Sequence, residues 1–480
     1  MSQRVNNYPS RCGARCDSVV CQAQSCLPRY YRPQNNRRAV CLAGLLFITL
    51  TIHPIQAQEQ SPNPLKAINV NIATLPRISR QTSAGPAKRS ITISDAVSIF
   101  LQQNLQLVAA RYDIDTVDAE KLTARLRPNP QVSVGFSDIP LDFKENFVKP
   151  QTFSYGISQT FELGGKRHKR IDAANANSEL AQGQFQTVVW QLTNDLKKKF
   201  YNVLLTQALF KLAQENQTTF ADTIKHTTEL YQLGEISGLD LKRLEVEKFK
   251  FDTEVANSEK DYELAVRDLR VTLGGDYRTM DIEVAGTIDY YQPYDFSFVE
   301  LRDKALAARP DLKAAQLSER AADASIRLQD AQRIPDLTLG TGINQVPAGG
   351  STYDFAVGIN LPVHDRNQGE RAKALIEKKK AQNQQQLISN QVLSDVDKAL
   401  VAFENQKRRV ELYRSGVLTK VNDIQNLTEF SLKAGESSTL ELLDAIRTRR
   451  ETLAAFYQTL FDYQVSLLDL ELATATPLQK

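Results

Sequence analysis

The feature that most restricts this chain is a pair of short alternating segments that occurs twice. In residues 131–137, Val132, Val134 and Phe136 share one face, and Gln131, Ser133, Gly135 and Ser137 share the other. In residues 152–161, Phe153, Tyr155, Ile157 and Phe161 oppose Ser154, Gly156, Ser158 and Thr160. The second pair occupies 336–344 and 353–361. Leu337, Leu339 and Ile343 alternate with Thr338, Gly340, Gly342 and Asn344, and Tyr353, Phe355, Val357, Ile359 and Leu361 alternate with Asp354, Ala356, Gly358 and Asn360. A period of two means strand. One face is aromatic and branched, and the other reads as small and uncharged. Each segment has about the length of a tilted strand that crosses a bilayer.

The rest of the chain reads as helix built around these hairpins. Residues 93–126 form a helical stretch started by Ser94 and Asp95, with a break near Asn104, and Pro128 and Pro130 stop it. From Lys166 to Leu233 no Pro occurs and only Gly183 interrupts, which predicts a helix far longer than the globular norm. It carries two apolar seams, one through Phe185, Val189, Leu192, Leu196 and Val203, the other through Tyr201, Leu205, Ala208 and Leu212. Two seams predict neighbours on both sides. Gly234 to Gly238 forms a turn, a return helix covers 239–273, and 281–291 could add a small strand.

The pattern then restarts. Pro335 stands 205 positions after Pro130 and plays the same part, Gly369-Glu370-Arg371 echoes Gly165-Lys166-Arg167, and Gly435 echoes Gly234. The second long helix is predicted over 368–433 and its return helix over 440–472. Ile446, Leu453, Phe456, Leu460, Tyr463, Leu467 and Leu470 fill heptad positions, with Arg449 out of place. A period near 200 is an internal duplication rather than a solenoid repeat. The chain therefore divides into a first repeat, 93–292, and a second, 293–480.

The amino-terminal part has a different character. Residues 1–57 carry seven Arg and one Asp, so they supply more positive charge than the net +3 of the whole chain, and the remainder is acidic. Charge gives no support to a nucleic-acid partner. All five Cys (Cys12, Cys16, Cys21, Cys26 and Cys41) lie in this region. Arg37 and Arg38 precede an apolar run from Ala39 to Ile52, and Ala57 offers a small residue for cleavage, which together predict a secretory signal over 1–57. Arg38, three positions before Cys41, does not fit a lipid-anchor pattern. Residues 58–92, rich in Pro, Ser, Gln and Ala, read as a flexible arm. After residue 57 the histidines are His168, His226 and His364, with no ligand spacing between them, so neither a metal site nor a cofactor is expected. Gly164-Gly165-Lys166 lacks the spacing of a phosphate loop, and no catalytic set is evident, so the chain does not read as an enzyme.

Two hairpins give four membrane strands, too few to close, and an open edge in lipid leaves backbone groups unsatisfied. The chain must then share its barrel with copies of itself. A periplasmic coiled-coil scaffold without a pore would explain the helices but not the strands.

Several motifs carry a family resemblance. They are Arg127-Pro128-Asn129-Pro130 before the first strand, Glu162-Leu163-Gly164-Gly165-Lys166-Arg167 after the second, and Arg333-Ile334-Pro335-Asp336-Leu337 in the repeat. With the order of elements, they make the chain resemble the TolC-type outer-membrane efflux proteins over about residues 93–475. Within them it is similar to the branch exporting heavy metals of the cobalt–zinc–cadmium type. The resemblance implies a mainly α protein with a membrane β-hairpin pair. It implies a trimer whose 12-stranded β-barrel continues into a 12-helix α-barrel. The partners it implies are a periplasmic adaptor, an inner-membrane proton-driven pump and outer-membrane lipid. It makes the chain a passive duct for divalent metals, with drug efflux or type I secretion as the alternative within the same fold.

The resemblance also assigns residues. The turns at Gly234, Ser237 and Leu239 and at Gly435, Ser438 and Leu440 match the tips that meet the adaptor. Asp240, Glu441 and Asp444 fall where relatives place acidic residues lining a closed tip, and Ser437 stands where relatives carry a basic residue. Glu441 and Asp444 also share one helix face, where first-turn carboxylates are favoured by the helix dipole alone. In a three-fold assembly, carboxylates facing the lumen would form a ring that attracts cations.

Overall fold

The computed structural model describes residues 89–137, 152–275, 281–290, 297–346 and 349–478. The predicted signal and most of the arm lie outside them. The arm ends earlier than expected. Arg89–Ile91 forms a strand, β1, pairing in parallel with β4, Ile282–Val284, because Ile91 is fully buried in the core. Thr92, not Ser94, caps the first helix: its hydroxyl oxygen accepts from the Asp95 amide, and the Asp95 carboxylate accepts from the Thr92 amide.

The helices and strands follow the duplication. The first repeat holds α1 (Ile93–Gln103), α2 (Leu105–Arg125), β2 (Gln131–Ser137), β3 (Thr152–Phe161), α3 (Lys166–Gln232) and α4 (Gly238–Leu273). The second holds α5 (Phe298–Ala308), α6 (Pro310–Gln332), β5 (Leu337–Val346), β6 (Gly350–Ile359), α7 (Gln368–Leu412), α8 (Leu418–Lys433) and α9 (Thr439–Thr474). β5 and β6 are shifted from the expected 336–344 and 353–361, and Leu361 falls beyond the sheet.

Asn104 and Arg309 do the same structural task with different chemistry. Asn104 breaks α1 from α2: its Oδ1 caps α2 by accepting from the Gln106 and Leu107 amides, and its Nδ2 donates to the Thr272 carbonyl at the end of α4. Arg309, 205 positions later, breaks α5 from α6 ahead of Pro310. It donates to Asp311 on α6 and Asp395 on α7, with its guanidinium 5.2 Å from the Trp190 ring on α3. Both are 5% exposed, so each polar break is satisfied inside the core.

α3 is one unbroken helix of 67 residues. It packs on α2, α4, α6 and α9, and residues of both predicted seams, among them Leu196, Val203, Tyr201, Leu205 and Leu212, are buried. The second long helix is not continuous. Tyr413–Val417 forms a kink between α7 and α8, with Gly416 at φ 131°. The main core joins Ile91, Phe100, Leu196, Val203, Leu269, Val392, Phe403, Tyr463, Leu467 and Leu470. A second core near the helix turns joins Phe220, Leu244, Phe251, Leu442 and Ile446, with Phe220 and Phe251 stacked at 4.4 Å. Arg449, the break in the α9 heptad, donates to Asn422 on α8 and Asn216 on α3, a polar layer between α9 and its neighbours.

Candidate functional site

The four long strands form one antiparallel sheet in the order β2-β3-β5-β6. Register puts like faces together. Val134, Tyr155, Ile343 and Tyr353 run across the sheet as one row, and Ser133, Gly156, Gly342 and Asp354 run as the row behind them. The apolar face is open: Val132 is 76%, Tyr353 74% and Phe355 85% exposed. An apolar face this exposed needs a non-aqueous neighbour. No described helix is long and apolar enough to cross a membrane. Among the described residues, β2 and β6 each have a strand on one side only.

The motif residues join sheet to helices. Gly164 and Gly165 both have positive φ, 69° and 72°, and Gly165 is the residue before α3. A Cβ on Gly164 would lie 2.5 Å from Ile334 Cδ1, so the Gly164 backbone packs directly on the second repeat. Lys166 Nζ meets Asp336 Oδ1 at 2.7 Å, and Asp336 also accepts from the Leu163 amide. Arg170 grips Glu162 and donates to the Ala124 and Leu126 carbonyls, and Arg167 donates to the Arg125 carbonyl. Gln159 reaches the Pro128 carbonyl. Pro128, Pro130 and Pro335 start the strands beside this clamp. In the second repeat the left-handed residue before the long helix is Asn367, φ 59°, whereas Gly369 lies inside α7. The structural counterpart of Gly165 is therefore Asn367, a residue type that tolerates this backbone.

The two helix turns are built alike. Gly234 and Gly435 have φ 80° and 73°, and in each turn the next amide reaches back to close the preceding helix, Glu235 to the Leu230 carbonyl and Glu436 to that of Ser431. Ser237 then caps α4 and Ser438 caps α9, which places α9 one residue earlier than expected, at Thr439. Leu239 and Leu440 stand at matched positions, 60% and 67% exposed.

The three acidic candidates have partners that spacing alone could have revealed. Asp240 pairs with Arg243 at 3.3 Å, and Asp444 with Arg447 at 3.6 Å, each three residues on. Glu441 has no basic partner among the described residues. Its Oε2 accepts from the Ser437 hydroxyl at 2.6 Å and the Ser438 amide at 3.0 Å. The Ser437 hydroxyl, then the Ser438 amide, hold its carboxyl below the usual carboxylate range. A groove of about 810 Å³ between α4, α8 and α9 is lined by Glu441 and Asp444 together with Glu247, Lys250 and Arg447. Asp240 does not line it, so within one chain the three acids are not a single group. Among the described residues, no three His, Cys, Asp or Glu are arranged to hold a metal ion.

An exposed apolar antiparallel sheet joined to long helices is the architecture of a protein whose strands face lipid. The chain matches the outer membrane efflux protein family over residues 96–275 and 301–476, one match per repeat, and belongs to that family. It is an outer-membrane protein of efflux systems. It is 26% identical over 393 residues to the cobalt-zinc-cadmium resistance protein CzcC of Cupriavidus metallidurans, covering 81% of this chain and 90% of the relative. It is 24% identical over 377 residues to nodulation protein T of Rhizobium leguminosarum bv. trifolii, covering 74% and 79%. A crystal structure of the channel-forming protein CusC superposes with a TM-score of 0.68 at 19% identity, covering 82% of this chain and 95% of CusC.

Proposed function

We propose that three copies of this chain build one channel, a passive duct that carries divalent metal cations across the outer membrane. The observation that carries this reading is the open sheet. Its edge strands β2 and β6 lie in a face suited only to lipid, and each unpaired backbone group in hydrocarbon costs several kcal/mol. Pairing β2 of one copy with β6 of the next removes both edges. Two copies would give eight strands, whose interior side chains fill, whereas three give twelve and a lumen. The helices offer the same kind of seam. α4 and α7/α8 are the outer members of the lower helix layer, and Val246, Phe249, Leu427 and Phe430 on them are 66% or more exposed.

Residues 1–57 act as the export signal, 58–88 as the arm, and the two repeats as the working body. The turns with Leu239 and Leu440 meet a periplasmic adaptor, through which an inner-membrane proton-driven pump delivers cargo. Asp240, Glu441 and Asp444 contribute negative charge near the tip entrance, with Arg243 and Arg447 offsetting part of it. Metal as cargo is supported by the likeness to the cobalt-zinc-cadmium resistance protein over most of both chains and by the Glu162 to Arg167 motif. Selection of the metal belongs to the proteins upstream, and the duct performs no chemistry.

Mass spectrometry of the detergent-purified mature protein is expected to give a three-chain assembly. Expressed with its pump and adaptor in a host lacking such a channel, it is expected to restore growth in zinc, cobalt or cadmium. A conducting single chain would overturn the shared barrel. Restored tolerance to organic drugs with none to metals would overturn the cargo.

A further inference from the structure

The polar face of the sheet is not wholly uncharged, as its small residues suggest. Among the described residues of β2, β3, β5 and β6, Asp354 is the only Asp, Glu, Lys, Arg or His. Its place in the register is defined: it pairs with Gly342, and its row across the sheet is Ser133, Gly156, Gly342 and Asp354. Nothing else in that row is longer than Ser. A Cβ on Gly342 would stand 3.0 Å from the Tyr155 carbonyl oxygen, so close strand approach holds this row small. The flanking rows bring Ser154, Asn344 and Thr352 on one side and Ser158, Gly340 and Ala356 on the other, none of them charged. The Asn344 amide donates to Asp354 Oδ2 and orients the carboxylate, and no Lys or Arg among the described residues pairs with it.

Asp354 cannot belong to the lipid face. Its strand neighbours Tyr353 and Phe355 point the other way and are 74% and 85% exposed. The polar face must therefore look into the barrel. Asp354 lies four residues from Gly350 at the hairpin end, about 13 Å along the strand, on the side of the sheet away from the helices.

The geometry points to Asp354 as a selectivity-determining residue of the duct. In the shared barrel, on whose existence this inference rests, its copies form one ring of carboxylates near the outer mouth. The ring is separate from the acids at the helical tip. A ring of like charge in a lumen concentrates counter-ions and repels co-ions. Because the rows around it are small and neutral, no neighbouring charge of the described strands competes with it. The ring favours cations leaving the duct and hinders anions entering from outside.

The test is the permeability ratio of potassium to chloride, measured from reversal potentials of the full-length trimer in planar bilayers under a salt gradient. The wild-type channel is expected to prefer cations. Asp354→Asn, which keeps the shape and the Asn344 contact, is expected to lower the ratio severalfold. Asp354→Lys is expected to invert it, and Asp354→Glu to retain it. Hexaamminecobalt(III) added on the outer side is expected to block the wild type and Asp354→Glu but not Asp354→Asn. Conducting Asp354→Asn channels with an unchanged ratio and unchanged block would overturn the inference and leave the channel reading intact. A wild-type protein that assembles but does not conduct would overturn the channel reading itself.

Discussion

At the level of single residues, the duplicated halves keep positions rather than chemistry. Asn104 and Arg309 break equivalent helix pairs, one with an amide that caps and crosses to Thr272, the other with a buried ion pair across to Asp395. Gly165 and Asn367 hold the same left-handed turn before the two long helices. Gly164 is the least replaceable of these residues. A side chain there would need the left-handed backbone and would also strike Ile334. Gly164→Ala is expected to cost about 1–3 kcal/mol from backbone conformation alone, with more from the collision. The melting temperature of the detergent-solubilised protein, followed by circular dichroism, would fall. An unchanged melting temperature would mean that the sheet can shift away from the helices at no cost. Sequence inspection finds the motif around Gly164 but not its role as a clamp, because Lys166, Asp336, Arg170 and Glu162 meet only after the chain has folded back on itself.

Among the elements, the two long helices differ in a way that composition does not announce. α3 runs unbroken, whereas its counterpart is divided by the turn at Tyr413–Val417. Gly416 is the position where the backbone leaves helical geometry, so α7 and α8 meet at a kink. A side chain at Gly416 would meet no other atom, so the cost of adding one is in the backbone. Gly416→Ala is expected to loosen α8 by about 1–3 kcal/mol. Hydrogen exchange would quicken over 413–433 while the matched part of α3 stays protected. Equal exchange in both helices would rule out a strained turn. The Arg449 break in the α9 heptad has a related lesson. A single polar residue in an apolar stripe reads as an irregularity, yet it has two amide partners waiting on neighbouring helices.

At the scale of the whole molecule, the proposed function rests on the exposed apolar sheet and on the two matched helix turns. Leu239 and Leu440 are mostly exposed at those turns. Changing both to Ser is expected to leave stability within about 0.5 kcal/mol of wild type, as for most surface substitutions. Cross-linking to the adaptor and metal tolerance are expected to fall together. Retained cross-linking would move the adaptor contact elsewhere. What the sequence determined by itself was the periodic part: strands at period two, helices at period 3.6, the duplication, the turns with their Gly and Ser, and the family to which these belong. Such features depend on residues near one another along the chain. Only the tertiary structure decided what the Gly164 motif clamps, that Asn367 and not Gly369 matches Gly165, and which residues of the neighbouring strands surround Asp354. Those facts depend on strand register, on backbone conformation and on contacts between residues such as Lys166 and Asp336, 170 positions apart, and local pattern carries no record of them.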